Sequence, residues 1–265
     1  MKIVTSTQNP AVRALRELGQ AKARAQRGLF LAEGVKLCAE ALRDAQVETV
    51  LCDEARAGEF STLLAACGDV LLAPAHIVAS ACQTQTPQGI VASVRMPAPL
   101  ALAEPPAALL ALDGVQDPGN VGTMLRTAEA AGFGGALLSE SCADAFAPKT
   151  VRATMGSIYR LPIRRGSLAA ALETLREKGY AVIVGELGGE PFYPAVRALD
   201  GPLVLVVGSE GRGVCDAVRA LATLRVALPM RGRAESLNAA VAAGIMMYGL
   251  MERPARPGAD AAARG

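Results

Sequence analysis

The chain has 265 residues, enough for two small domains or one large one. Although 51% of it is hydrophobic, no apolar run reaches the ~18 residues needed to cross a bilayer, and the start, MKIVTSTQNP, lacks the apolar core of a secretory signal. A net charge of +2 is too small to announce a nucleic-acid partner; six scattered cysteines without a CxxC pair and a single histidine, His76, argue against a metal site, a disulfide framework or a Ser-His-Asp triad. A cytoplasmic protein with reduced thiols, no membrane association and no metal is expected.

Asn9-Pro10 reads as an N-cap followed by a first-turn proline, opening a helix to about Gln26. Arg13, Arg16, Lys22, Arg24 and Arg27 crowd that helix, and Arg160, Arg164 and Arg165 form a second basic group. Arginine's planar fork matches phosphate oxygens, although each cluster alone also reads as a solvated face. A strand at Gly28–Leu31 and a helix from Gly34 through Leu42 follow. Strands at Val47–Cys52, Val70–Leu72 and Ile90–Val94, alternating with helices at Glu59–Cys67 and Ala75–Cys82, complete a compact α/β unit over residues 1–95. Within it Glu33 and Gln88 are, on local grounds, ordinary turn residues. The segment 96–106, MPAPLALAEPP, holds four prolines and reads as an extended, semi-rigid linker.

From residue 107 to 253 strand and helix alternate again: strand to Leu112, helix Asn120–Ala131, strand Ala136–Ser139, helix Pro148–Met155, helix Leu168–Lys178, strand Ala181–Gly185. A strand at Leu203–Val207, a helix around Val214–Leu221, a short strand at Leu224–Leu228 and a last helix from Glu235-Ser236 close the series. This alternation implies a parallel sheet covered on both faces. The last helix is apolar on every side, so it must be buried in a core or against another copy of itself. Residues 254–265, rich in Ala, Pro, Arg and Gly, read as a disordered tail.

Three strand ends carry the chemistry-bearing residues. One runs into Asp113-Gly114-Val115-Gln116-Asp117-Pro118-Gly119-Asn120, with Arg126 on the helix that follows; a second runs into Gly208-Ser209-Glu210-Gly211-Arg212-Gly213; the third meets Pro229, a basic turn with Arg231 and Arg233, and then Ser236 and Asn238. Such ends suggest one crevice at the carboxyl edge of the sheet. Glycines in the second turn let a ligand approach the backbone. Taken singly, each polar residue has a plainer reading: Asn120, Ser236 and Asn238 as helix caps, Arg126 as a surface cation, Glu210 as a loop carboxylate.

DPGNVGTMLRTAEAAGF, VVGSEGRGV and LPMRGRAESLNAAVAAGI resemble, in order, the three motifs of the SpoU (TrmH-type) RNA 2'-O-ribose methyltransferases of the SPOUT superfamily. FLAEGVKLCAEAL and TPQGIVASV are similar to the two ends of the substrate-binding domain that many such enzymes carry, so the resemblance covers nearly the whole chain. It implies a small α/β RNA-binding domain followed by a SPOUT-type α/β domain with a parallel sheet and a C-terminal trefoil knot, S-adenosylmethionine as methyl donor, and a homodimer. Periodicity could not have shown a knot, and base rates argue against one.

The resemblance also assigns roles. Gly208, Leu228, Leu237, Glu210 and Met230 match donor-binding positions, where backbone contacts permit apolar or glycine identities; without the family Leu228 and Leu237 would be core residues. Asn120, Arg126, Glu210, Ser236 and Asn238 match the catalytic set. Because a guanidinium stays protonated, Arg126 is expected to stabilise the developing alkoxide and grip the adjacent phosphate, with Asn120 positioning it. Glu210 orients substrate or balances Arg126, and Ser236 and Asn238 hydrogen-bond the acceptor region. RNA contact is expected from Arg13, Arg16, Arg24, Arg27, Gln88 and Arg152, with ribosomal RNA favoured by the extra amino-terminal domain and transfer RNA as the alternative. A dinucleotide-dependent oxidoreductase fits poorly, since GSEGRG breaks the GxGxxG spacing. A non-catalytic RNA-binding protein of the same fold would have no chemical use for the polar set.

Overall fold

The computed structural model describes residues 1–252; the tail expected at 254–265 lies outside them. The described residues form two compact units, residues 1–98 with 143–160 and residues 99–142 with 161–252.

The first unit contains β1 (Lys2–Ile3), α1 (Pro10–Glu17), α2 (Ala21–Arg27), β2 (Leu29–Glu33), α3 (Val35–Asp44), β3 (Val47–Asp53), α4 (Ser61–Ala65), β4 (Val70–Ala73), α5 (Ala75–Ala81) and β5 (Ile90–Arg95). The five strands lie in the order β1-β4-β3-β5-β2. β1, β4 and β3 run parallel, and β5 runs antiparallel to both β3 and β2. Asn9 accepts from Ala11 N at 2.9 Å and Pro10 occupies the first turn, as the sequence suggests. The single long helix expected to Gln26 is broken, because the Arg24 guanidinium turns back onto the carbonyls of Leu18 and Gly19 at 2.8 and 2.9 Å and takes the place of helical N–H partners. Val12, Leu15 and Leu18 then pack with Ile77, Val78 and Ala81.

Residues 143–160, which the sequence reading groups with 107–253, pack in the first unit instead. Aromatic burial explains this: the Phe146 and Tyr159 rings flank Phe30 at centroid distances of 5.1 and 6.0 Å, and Phe30 is wholly buried. Tyr159 Oη donates to Leu37 O at 3.2 Å.

The second unit begins with β6 (Ala108–Asp113), α6 (Pro118–Ala130) and β7 (Gly135–Ser139). After the excursion through α7 (Pro148–Thr154) it continues with β8 (Ile163–Gly166), α8 (Leu168–Glu177), β9 (Ala181–Pro191), α9 (Phe192–Val196), β10 (Leu203–Gly208), α10 (Asp216–Arg219), β11 (Leu224–Ala227) and α11 (Ala239–Met251). Six strands in the order β11-β9-β10-β6-β7-β8 are parallel throughout. β10 and β6 are buried along their whole length, as continuous apolar runs in a doubly covered sheet must be. Leu172 and Leu175 of α8 and Val218 of α10 close one face; α6, α9 and α11 cover the other.

The sequence misses β8, whose Arg164 and Arg165 hide an edge strand, and α9. The last helix starts at Ala239 rather than at Glu235-Ser236, so Ser236 and Leu237 stay in the loop before it. The second half of the proline-rich segment is not free chain. Leu100 is buried in the second core, and Tyr180 Oη donates to the carbonyls of Pro105 and Pro106.

Candidate active site

The carboxyl ends of β6, β9, β10 and β11 bring the polar motifs to one edge of the sheet. At the end of β10, an added Cβ on Gly208 would lie 2.1 Å from the carbonyl carbon of Gly213, so only glycine lets the chain close there. Ser209 N donates to Gly213 O at 3.1 Å and Gly213 N returns to Ser209 O at 2.9 Å, with Gly213 at φ +65°. This tight loop holds out Glu210.

Glu210 Oε1 accepts from Asn120 Nδ2 and from Asn238 Nδ2, each at 2.9 Å, and Asn238 Nδ2 also reaches Asn120 Oδ1 at 3.1 Å. Each asparagine is fixed by a helix start. Asp117 caps α6 through Asn120 N at 2.8 Å, and Asn238 caps α11 by accepting from Ala240 N and Val241 N at 3.0 and 3.2 Å. One residue from each of the three motifs is thus tied into a single network.

Beside the network lies a cavity of ≈ 660 Å³, a size that suits a cofactor-sized ligand. All five residues assigned to the donor, Gly208, Glu210, Leu228, Met230 and Leu237, line it, and so do Ser236 and Asn238. Apolar Met246 and Ala242 of α11 complete its inner wall. Backbone and apolar side chains with few convergent polar groups fit a nucleoside sulfonium, which needs main-chain hydrogen bonds and a dry wall.

The sequence reading did not single out Glu186 and Arg219, which also line this cavity. Glu186 accepts from Arg219 Nε at 2.9 Å and from Arg225 Nε. Burial pushes the Glu186 carboxyl up, but these two guanidinium hydrogen bonds outweigh it and hold the group below the usual glutamate range. Its place just past the expected Ala181–Gly185 strand is itself a strand-end signal that could have been read.

Arg126 does not join the network. It stands exposed on α6, and the Asn120 amide expected to position it meets Glu210 and Asn238. Arg24, expected to meet RNA, is 3% exposed, donates to Leu18 and Gly19, and pairs with Asp144 at 2.5 Å. Gln88 Oε1 accepts from Val35 N at 3.0 Å, supplying the cap that Gly34 cannot give α3. Arg152 sits 3.5 Å from Glu33, and Arg27 pairs with Glu17 at 2.5 Å. Arg13 and Arg16 are exposed on α1.

Residues 107–248 match the SpoU rRNA Methylase family, and residues 9–92 match the MRM3-like substrate binding domain. The chain belongs to the SpoU rRNA methylase family. The 23S rRNA (guanosine(2553)-2'-O)-methyltransferase RlmP of Bacillus subtilis is 36% identical over 94% of this chain and 99% of its own length. The AdoMet-bound rRNA methyltransferase from Sinorhizobium meliloti is similar in structure with a TM-score of 0.80 at 34% identity, covering 94% of this chain and 96% of that one. The SpoU methyltransferase AviRb from Streptomyces viridochromogenes, in complex with AdoMet, also gives a TM-score of 0.80, at 29% identity, over 92% of this chain and 97% of that one.

Proposed function

We propose that this chain transfers the methyl group of S-adenosylmethionine to a ribose 2'-hydroxyl of ribosomal RNA. The observation that carries the reading is the convergence of residues from three separate motifs on one cavity and one hydrogen-bond network. The SpoU match, the AdoMet-bound relatives and the RlmP likeness support the donor and the RNA class.

When bound, S-adenosylmethionine supplies an activated methyl on a sulfonium. Gly208, Leu228 and Leu237 offer main chain and apolar surface to hold it, and Met246 excludes water from the inner wall. Glu210 is kept in place by two asparagine amides on Oε1, while Oε2 has no hydrogen-bond partner among the described residues and can accept from the ribose hydroxyl. Ser236, exposed at the cavity rim, orients the same acceptor. Arg126, whose planar guanidinium matches phosphate oxygens, grips the neighbouring phosphate. Arg13 and Arg16 extend the grip on RNA from the unit that matches a substrate-binding domain.

The assembly belongs to the same reading. Val241, Ile245 and Tyr248 are 53%, 39% and 47% exposed on α11, a helix of 13 residues without a charged side chain. Such a stripe favours pairing with a second copy. The crossing of the chain from β10 past β9 to β11 is compatible with the trefoil knot. Six free thiols suit a cytoplasmic enzyme.

Calorimetric titration with S-adenosylmethionine tests the donor assignment, and light scattering tests the pair. Saturable one-to-one binding per chain, lost in Gly208→Ala, is expected; absence of binding in the folded parent protein would remove the proposal.

A further inference from the structure

The loop Ser209–Gly213 borders two cavities. Besides the donor cavity there is a second one of ≈ 440 Å³, also lined by Asn120 and Glu210 but closed by Gln116, Asp117, Ser141 and Arg212. Most of its polar wall is already engaged. Asp113 accepts from Cys215 N at 2.8 Å, Asp117 from Asn120 N, Ser141 shares its hydroxyl with Ser139 at 3.0 Å, and Asn120 and Glu210 hold each other. The side chains of Gln116 and Arg212 are exposed and make no hydrogen bond among the described residues. One planar amide and one guanidinium therefore face a nucleoside-sized space beside the catalytic network.

We infer that this second cavity receives a single unstacked nucleotide of the RNA, its base edge read by the Gln116 amide and its phosphate held by Arg212. A primary amide offers a donor and an acceptor side by side, the pattern that pairs with a base edge, and a guanidinium forks onto phosphate oxygens. Single-stranded RNA is read this way, with the target base splayed out of its stack. Seated here, the nucleotide has Asn120 and Glu210 at one wall and the donor cavity on the same loop, so specificity for the base and placement of its sugar come from one site. The inference rests on the methyl-transfer reading for the identity of its ligand, and it makes Gln116 a residue that selects the base.

Methyl transfer to unmodified, in vitro transcribed large-subunit ribosomal RNA is measured for the parent protein, Gln116→Ala and Arg212→Ala. Each variant should raise KM for RNA about tenfold, the scale of one lost base or phosphate contact, while the dissociation constant for S-adenosylmethionine stays at the parent value. KM values matching the parent in both variants would overturn the inference and leave methyl transfer standing. An arm independent of catalysis follows the side-chain amide resonance of Gln116, identified by its loss in Gln116→Ala, during titration with the four 5'-nucleoside monophosphates at millimolar concentration. A shift with at least one of them is expected; no shift with any overturns the nucleotide site, and a shift in a protein that moves no methyl group would support the site while sinking the methyl-transfer reading.

Discussion

Asn238 does two jobs with one amide: its Oδ1 caps α11 at Ala240 N, 3.0 Å away, while its Nδ2 holds Glu210 Oε1 at 2.9 Å. The last helix and the Ser209–Gly213 loop are therefore positioned by the same side chain.

That coupling can be separated by chemistry. Asn238→Asp keeps an oxygen for the cap but loses the donor and sets a carboxylate against Glu210. The melting temperature should change little, while kcat for methyl transfer falls at least about a hundredfold, the scale of a lost preorganised polar contact. Asn238→Ala should lose the same activity and about 1 kcal/mol of stability besides. Equal kcat in Asn238→Asp and the parent would show that the Glu210 contact is dispensable.

Gly208→Ala places a Cβ 2.1 Å from the Gly213 carbonyl carbon, and the obstacle is backbone. The loop must open, so S-adenosylmethionine binding should fall below detection and stability should drop by about 1–3 kcal/mol, as overpacking usually costs. Calorimetry and urea unfolding read the two effects separately.

Arg24 and the α1 arginines should behave oppositely. Arg24→Met removes the buried partner of Asp144 and of two carbonyls, so it should destabilise by about 3–5 kcal/mol and leave the RNA affinity of the folded fraction alone. Arg13→Ala and Arg16→Ala should spare stability, weaken RNA binding and each lower the salt slope of log K by about one. Filter binding over a salt series distinguishes them.

Acid stability carries the signature of Glu186, whose carboxyl is held below its ordinary range by Arg219 and Arg225 against the upward push of burial. A depressed carboxyl contributes stability that is complete above the unfolded-state value and is lost as pH falls through the folded-state value. The parent should thus lose stability on acidification from neutral pH through the ordinary glutamate range and below it. In Glu186→Gln that portion of the pH dependence should be missing, and stability at neutral pH should be lower by about 1–3 kcal/mol, since hydrogen bonds to a charged group are lost. Superimposable pH profiles of melting temperature would contradict this role.

Much of this was legible in the sequence because it is carried by local rules. The apolar runs at Leu109–Leu112 and Leu203–Val207 can only be central strands of a doubly covered sheet, and they are buried throughout. Glycine and proline punctuation located the strand ends, and the motif resemblance named Gly208, Leu228, Met230 and Leu237, which meet in one cavity. What stayed illegible depends on contacts distant in sequence. Nothing near Arg24 announces that Asp144, 120 positions away, will bury it. The displacement of 143–160 into the first unit depends on Phe30 meeting Phe146 and Tyr159. The contacts of Asn120 with Glu210 and Asn238 are illegible locally for the same reason, because those side chains arrive from the end of β10 and the start of α11.

The central assignment is a methyl group delivered to a 2'-oxygen, and its most direct test is transfer of labelled methyl from S-adenosylmethionine to ribosomal RNA followed by alkaline hydrolysis. A methylated 2'-oxygen can no longer attack the adjoining phosphate, so the label should be recovered in alkali-resistant dinucleotides and should disappear with Glu210→Ala. Label released in mononucleotides would place the methyl on a base and contradict the account.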